Sequence, residues 1–80
     1  MKLPRDIGGM ELAAALTRYG YRITRQTGSH LRLTTDMNGE HHLTVPRHGA
    51  LRTGTLNVIL NEVAQHLQRE KPELIRELWR

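Results

Sequence analysis

The sequence contains no cysteine, and its unbroken apolar runs are only a few residues long. Without cysteine the chain can form neither a disulfide framework nor a thiolate zinc site, and it suits a reducing compartment. A membrane-spanning helix needs about 20 apolar residues, so we expect no membrane segment. Residues 1–6 are charged and are not followed by the apolar stretch of a signal peptide. We therefore expect a soluble, cytoplasmic protein.

The length of 80 residues predicts one domain, near the lower limit for folding without disulfides or metals. We expect this domain to cover residues 1–80, with a core over about 8–68 and a helical extension over 72–80. No internal repeat or low-complexity segment divides the chain.

The net charge of +4 comes entirely from the first part of the sequence. Residues 1–52 carry eight basic and four acidic side chains, whereas residues 53–80 carry four of each. The segment 18–32 has no acid and contains Arg18, Arg22, Arg25 and Arg32. Basic charge gathered in one segment favours a polyanionic partner such as nucleic acid. The alternative is a small surplus of arginine that serves only solubility.

Hydrophobic spacing predicts two helices that flank three strands. Apolar residues at helical intervals mark one helix over about 8–19, closed by Gly20, and a second over about 56–67, capped by Thr53 or Thr55. Alternating segments at 21–26, 30–35 and 40–45 indicate strands. The turns between them are 27–29 and 36–39, and Asn38-Gly39 is a typical hairpin pair.

The order α-β-β-β-α with short turns predicts an α+β fold, in which two helices cover one face of a three-stranded antiparallel sheet. The open face is then expected to carry Arg22, Thr24, His30, Arg32, Thr34, His42 and Thr44. Pro72 can start a further short helix. Its apolar side chains either cover the core or form an exposed ridge for a partner: Leu74, Ile75, Leu78 and Trp79.

The turn 27–29 delivers His30 to the start of the second strand. If Leu31 and Leu33 face the core, His30 and Arg32 must face the opposite side, because successive strand residues alternate. Gly28 is interpreted as a turn residue with positive φ. The structural alternative for His30 is an ordinary strand histidine that bonds to a neighbour.

The remaining histidines do not predict a metal site. His41 and His42 are adjacent in a strand and face opposite sides, and no cysteine or nearby carboxylate completes a ligand set with His48. We expect no cofactor, and we expect His66 to be solvated on the second helix. Gly54 is interpreted as a helix-entry residue whose amides could also receive a phosphate.

Three motifs together resemble the HicA family of mRNA interferase toxins: Gly28-Ser29-His30, Thr44-Val45-Pro46-Arg47-His48 and Gly54-Thr55-Leu56. The likeness covers roughly residues 10–64, whereas segments 1–9 and 66–80 depart from the family pattern. The resemblance implies a fold similar to double-stranded-RNA-binding domains, with His30 as the catalytic histidine. It also implies mRNA as substrate and a HicB-type antitoxin that covers the active face in a hetero-oligomer.

The chemistry expected of such a site is metal-independent RNA cleavage, with His30 as general acid or base. We expect RNA contacts from Arg22, Arg25, Ser29, Arg32, Arg47 and His48, and the participation of His48 in proton transfer stays open. The alternative from the residues is a non-catalytic RNA-binding module that uses the basic sheet face. A third possibility is an interaction protein for an acidic partner.

Overall fold

The computed structural model describes residues 3–79; the ends of the predicted domain, residues 1–2 and 80, lie outside the described residues. The elements are α1 (Gly9–Leu16), a 3-10 turn (Thr17–Tyr19), β1 (Arg22–Thr27), β2 (His30–Thr35), β3 (His41–Pro46), α2 (Thr53–Leu67) and α3 (Lys71–Leu78). The predicted α-β-β-β-α order with an additional C-terminal helix is confirmed. Within residues 3–79, no helix is long and apolar enough to cross a membrane.

The three strands form one antiparallel sheet in the order β1-β2-β3, so β2 is central. The residues of its two hairpin turns have the positive φ angles that the sequence predicts. Gly28 has a φ of 51°, and Asn38 and Gly39 have φ values of 57° and 98°. These positive φ values are those that Gly and Asn adopt most readily. The short turns fix which residues of neighbouring strands lie opposite each other.

The hydrophobic core lies on one face of the sheet. Leu31 and Leu33 of β2 are fully buried and lie opposite Val45 and Leu43 of β3. The predicted helical stripes cover them with the buried side chains of Leu12, Leu16, Leu56, Ile59, Leu60 and Val63. Burial of one such side chain contributes about 1.5–3 kcal/mol. Strand β1 is different, because it lies at the sheet edge and all six of its residues are exposed.

The helix boundaries differ from the sequence prediction in two places. The first helix ends at Leu16 and tightens into the 3-10 turn before Gly20, which has the expected left-handed conformation with φ 79°. Helix α2 begins earlier than predicted, at Thr53, and its N-cap is Arg52 without a side-chain cap bond. The prediction of a threonine cap is therefore wrong, and Gly54 lies inside the first helical turn.

Helix α3 covers the core and does not form an exposed ridge. Leu74, Ile75 and Leu78 are buried in the same hydrophobic cluster as the sheet. The Tyr19 hydroxyl donates a hydrogen bond to Glu77, and Arg69 contacts the same carboxylate at 2.6 Å. Burial, together with Glu77, raises the pKa of Tyr19 to about 12. The C-terminal segment is thus tied to the domain by both apolar and polar contacts.

His66 is half-buried rather than fully solvated as predicted, and it holds the second hairpin turn against α2. Its Nε2 lies 2.9 Å from the Met37 carbonyl oxygen and 3.0 Å from that of Gly39. Its ring stacks on His41 with centroids 4.3 Å apart. His41 Nδ1 in turn lies 2.7 Å from the Tyr21 hydroxyl. The β2–β3 turn is therefore fastened to the C-terminal end of α2.

The start of α1 packs directly on the loop that follows β3. The Gly9 amide donates to the His48 carbonyl at 2.9 Å. A Cβ on Gly9 would overlap the carbonyl group of Pro46, and a Cβ on Gly8 would lie 2.8 Å from the Gly49 carbonyl oxygen. Two glycines are required here because only they allow this approach of two backbones.

We predict that Gly9→Ala lowers the free energy of unfolding by about 3 kcal/mol, because α1 must move away from Pro46 to admit the methyl group. Gly54→Ala is the matched control. Its methyl group would enter open space in a helix, and the change should stabilise the protein by up to about 1 kcal/mol. Urea unfolding measures both; a Gly9→Ala variant as stable as the original chain would contradict the packing described.

We predict that stability falls as the pH drops below about 6.5, the usual pKa of histidine in an unfolded chain. Burial and then the neighbouring His66 lower the pKa of His41 in the folded protein, His42 adds to this, and Glu62 opposes it. The unfolded state consequently binds the proton more readily, so this contribution is present at high pH and is lost on acidification. Melting temperatures from pH 8 to 5 test this: His41→Gln should flatten the profile, and an unchanged slope would contradict the assignment.

Candidate active site

His30 lies at the first position of β2 with its side chain in solvent. Its register partners are Thr27 of β1 and Pro46 of β3. Since Leu31 and Leu33 point into the core, the alternation of the strand turns His30 to the open face, as predicted. The closest side-chain partner given by the geometry is the Ser29 hydroxyl, whose oxygen lies 3.5 Å from Nδ1. A bond at that distance is weak, so the imidazole can turn toward a ligand.

Two arginines lie next to His30 on the same face. Arg32 follows it by two residues in β2, and Arg25 of β1 lies opposite Arg32. The position of Arg25 opposite Arg32 depends on a one-residue shift in register between Ile23 and Arg25. Strict alternation from Arg22 would have turned Arg25 to the other side, and the bulge at Thr24 reverses this. A shallow groove of about 200 Å³ results, lined by Arg25, Thr27, His30, Leu31, Arg32 and Thr44.

Arg22 is not brought to His30. It lies opposite Thr34, four residues along β2 from His30, which is about 13 Å for an extended strand. Its guanidinium is 3.7 Å from the Asp36 carboxylate and 3.4 Å from the Thr34 carbonyl oxygen. Arg22 thus belongs to the far end of the same face, where it can contact only a more distant phosphate of a bound strand.

A backbone bond joins two of the motifs identified in the sequence. The Arg47 amide donates to the Ser29 carbonyl at 2.6 Å, which holds the turn before His30 against the residues after Pro46. The side chains of Arg47 and His48 are exposed beyond the end of β3. Among residues 3–79, neither lines the groove beside His30. His48 therefore supports the site through its carbonyl oxygen, which accepts the Gly9 amide bond.

At the end of the open face farther from His30, the side chains make more hydrogen bonds with one another than predicted. Thr34 was expected to be exposed, yet only 5 % of it is accessible. Its hydroxyl lies 2.8 Å from that of Thr24 and 2.9 Å from His42 Nδ1. The other ring nitrogen of His42 is 3.2 Å from the Glu40 carboxylate. His42 is thus held at both nitrogens, whereas His30 has one weak contact.

A second groove meets the first at His30 and Thr44. It runs between the open face of β3 and the exposed side of α2, with a volume of about 470 Å³, and is lined by His30, His42, Thr44, Pro46, Thr55, Val58, Ile59 and Glu62. The α2 residues in it were not identified from the sequence. One signal was present: Val58 does not belong to the apolar stripe of α2, and in the structure 57 % of it is exposed.

The arrangement brings together one free imidazole, two cations and a hydroxyl at a concave surface. Such a set can bind a phosphodiester and move a proton to or from it. Among residues 3–79, no group of three or more His, Asp or Glu side chains is placed to hold a metal ion. The groove beside His30 instead combines two cations, which can bind an anionic ligand, with one imidazole, which can transfer a proton.

A family model described as HicA toxin of bacterial toxin–antitoxin matches residues 9–64. This range contains all three motifs and every element from α1 to most of α2. Comparison with curated proteins gave no match, nor did comparison with solved structures. The matched range covers well over half of the chain. The chain therefore belongs to the HicA family of toxins from bacterial toxin–antitoxin systems.

Proposed function

We propose that this toxin is a metal-independent endoribonuclease that cleaves mRNA, with His30 as its general acid or base. The observation that carries the proposal is the position of His30, exposed on the sheet face between a cationic groove and the α2 groove. A toxin of a toxin–antitoxin pair acts on a component of the cell, and a basic concave surface is suited to RNA. The protein would act in the cytoplasm, where mRNA is translated.

The proposed reaction uses the nucleophile that RNA itself carries. His30 removes the proton of a ribose 2′-hydroxyl, and the 2′-oxygen attacks the adjacent phosphorus. The bond from phosphorus to the 5′-oxygen breaks, and that oxygen takes up a proton. The products are a 2′,3′-cyclic phosphate and a free 5′-hydroxyl. An imidazole suits these transfers because it accepts and releases protons near neutral pH, and one positioned acid or base typically contributes about 10²–10⁴-fold.

The neighbouring residues stabilise charge and fix position. Arg25 and Arg32 lie opposite each other two residues from His30, so their guanidinium groups can bind the non-bridging phosphate oxygens as negative charge develops. The Ser29 hydroxyl can donate a hydrogen bond to an oxygen of the same phosphate. We expect Arg47, His48 and Arg22 to contact the flanking backbone of the RNA. Gly28, with open space around it, leaves room for the strand to approach.

We further propose that the antitoxin partner is of the HicB type and that it acts by covering the open sheet face. The catalytic imidazole and both arginines are accessible from one direction, so one partner surface can exclude RNA from all three. Acidic side chains on that surface would match the local positive charge.

We predict that His30→Ala reduces cleavage of a defined transcript at least about 100-fold while RNA binding is retained, because the substitution removes the proton-transfer group and leaves both arginines. His30→Gln, which keeps a polar side chain, should be similarly inactive. The assay is run in EDTA, and products are examined for a cyclic phosphate end. Gln26→Ala is the control, since Gln26 lies on β1 opposite the buried Leu31 and outside both grooves.

Full cleavage by His30→Ala would contradict the assignment. Replacing the 2′-hydroxyl with hydrogen at the cut site should abolish cleavage and preserve binding. If the original protein binds the transcript with an affinity that falls with salt, but never cuts it, the non-catalytic RNA-binding module would be the correct function.

A further inference from the structure

We propose that the groove between β3 and α2 is a base-binding subsite, in which the nucleobase next to the scissile phosphate is recognised by Glu62 and Val58. The inference rests on the proposed function and adds to it the part of the protein that selects where RNA is cut. Its basis is the way in which two chemically different grooves meet at His30.

The two grooves share residues beside the proposed cleavage site. His30 and Thr44 line both grooves, so a phosphate bound beside His30 lies at the entrance to the α2 groove. In RNA the base is attached to the same ribose whose 2′-hydroxyl reacts. A nucleotide with its phosphate on the arginine side can therefore direct its base toward α2. The volume of the groove, about 470 Å³, lies within the range of small-ligand sites.

The two grooves differ in the charge and polarity of the side chains that line them. The one on the arginine side has two cations and suits phosphate. The α2 groove has apolar walls from Pro46, Val58 and Ile59 and one acidic group, Glu62. A carboxylate repels phosphate, so the charge of Glu62 disfavours the RNA backbone at this position. Apolar walls instead match the faces of a base, which proteins bind by stacking and packing.

The side chains of α2 that line the groove lie on one side of the helix. Thr55, Val58 and Glu62 are spaced by three and four residues, which places them in one row along the helix. Val58 is the most exposed of the large hydrophobic residues described, although a polar residue would suit a solvated helix face. An exposed apolar side chain that lines a groove next to an acid indicates a binding surface for a partly apolar ligand.

The carboxylate of Glu62 can select a base through the hydrogen bonds that it accepts. It only accepts hydrogen bonds, and the exocyclic amino groups of bases donate them. Cytosine, adenine and guanine carry such a group, whereas the N3–H donor of uracil lies between two carbonyl oxygens that repel a carboxylate. Glu62 would therefore disfavour uracil in this subsite. Arg25 and Arg32 cannot select a base, because contacts to the phosphates of the RNA do not distinguish bases.

The test measures base preference separately from cleavage. Four short RNAs, identical except for the base at the position next to the cut and each blocked by a 2′-deoxy sugar there, are titrated by fluorescence anisotropy. The original protein should bind the uracil form about tenfold more weakly than the best of the others. Glu62→Gln should reduce this ratio toward one, whereas Val58→Thr should weaken the binding of all four RNAs, because every base packs on the apolar wall. Glu73→Gln, an exposed acid on α3 outside the groove, should leave it unchanged.

The same variants are then assayed for cleavage of RNAs with the 2′-hydroxyl present, and their melting temperatures are compared to exclude a loss of folding. An unchanged ranking of the four bases in Glu62→Gln, or an unchanged affinity for all four RNAs in Val58→Thr, would overturn the subsite. A loss of antitoxin affinity in those variants with the ranking intact would assign the groove to the antitoxin and also overturn it. Retained base preference without any cleavage would refute the proposed nuclease and support the subsite.

Discussion

The burial of Leu31 and Leu33 is the constraint on which the rest of the site depends. Both side chains are fully enclosed in the central strand, beneath two helices. A one-residue slip of β2 would expose them and would cost several kcal/mol of hydrophobic stabilisation. The same slip would turn His30 inward, so the hydrophobic core fixes the direction of the His30 imidazole. Stability and function are therefore linked through the alternation of one strand.

Around this strand, backbone contacts rather than side-chain networks position the residues of the candidate site. The Arg47 amide holds the Ser29 carbonyl, and Gly9 packs on Pro46, so α1, the end of β3 and the turn before His30 form one rigid corner. The bulge in β1 then adds Arg25 to the face that already carries Arg32. His30 itself keeps only a weak contact to Ser29. A rigid frame with one free imidazole suits a group that must reach a substrate proton.

The fold and the orientation of His30 could be predicted because both follow from short-range periodicity. Alternation over Leu31 and Leu33, the apolar stripe of α2 and the Asn38-Gly39 turn are local signals, and the structure agrees with each. The features that were missed are set by tertiary contacts. The sequence does not show that a bulge rotates Arg25, that His66 stacks on His41, or that Gly9 approaches the Pro46 backbone. The α2 groove was missed for the same reason, since Val58 and β3 are far apart in sequence.

Cleavage and base recognition both require RNA to bind across His30, with its phosphate on the arginine side and a base against α2. The most direct measurement is the mapping of NMR chemical-shift changes in ¹⁵N- and ¹³C-labelled protein on titration with a short RNA that carries a 2′-deoxy sugar at the cut position. The account predicts the largest changes at His30, Arg32 and Thr44 together with Val58 and Glu62, and little change in α3. Changes confined to α3 or to the far end of the sheet around Arg22, with His30 unaffected, would contradict it.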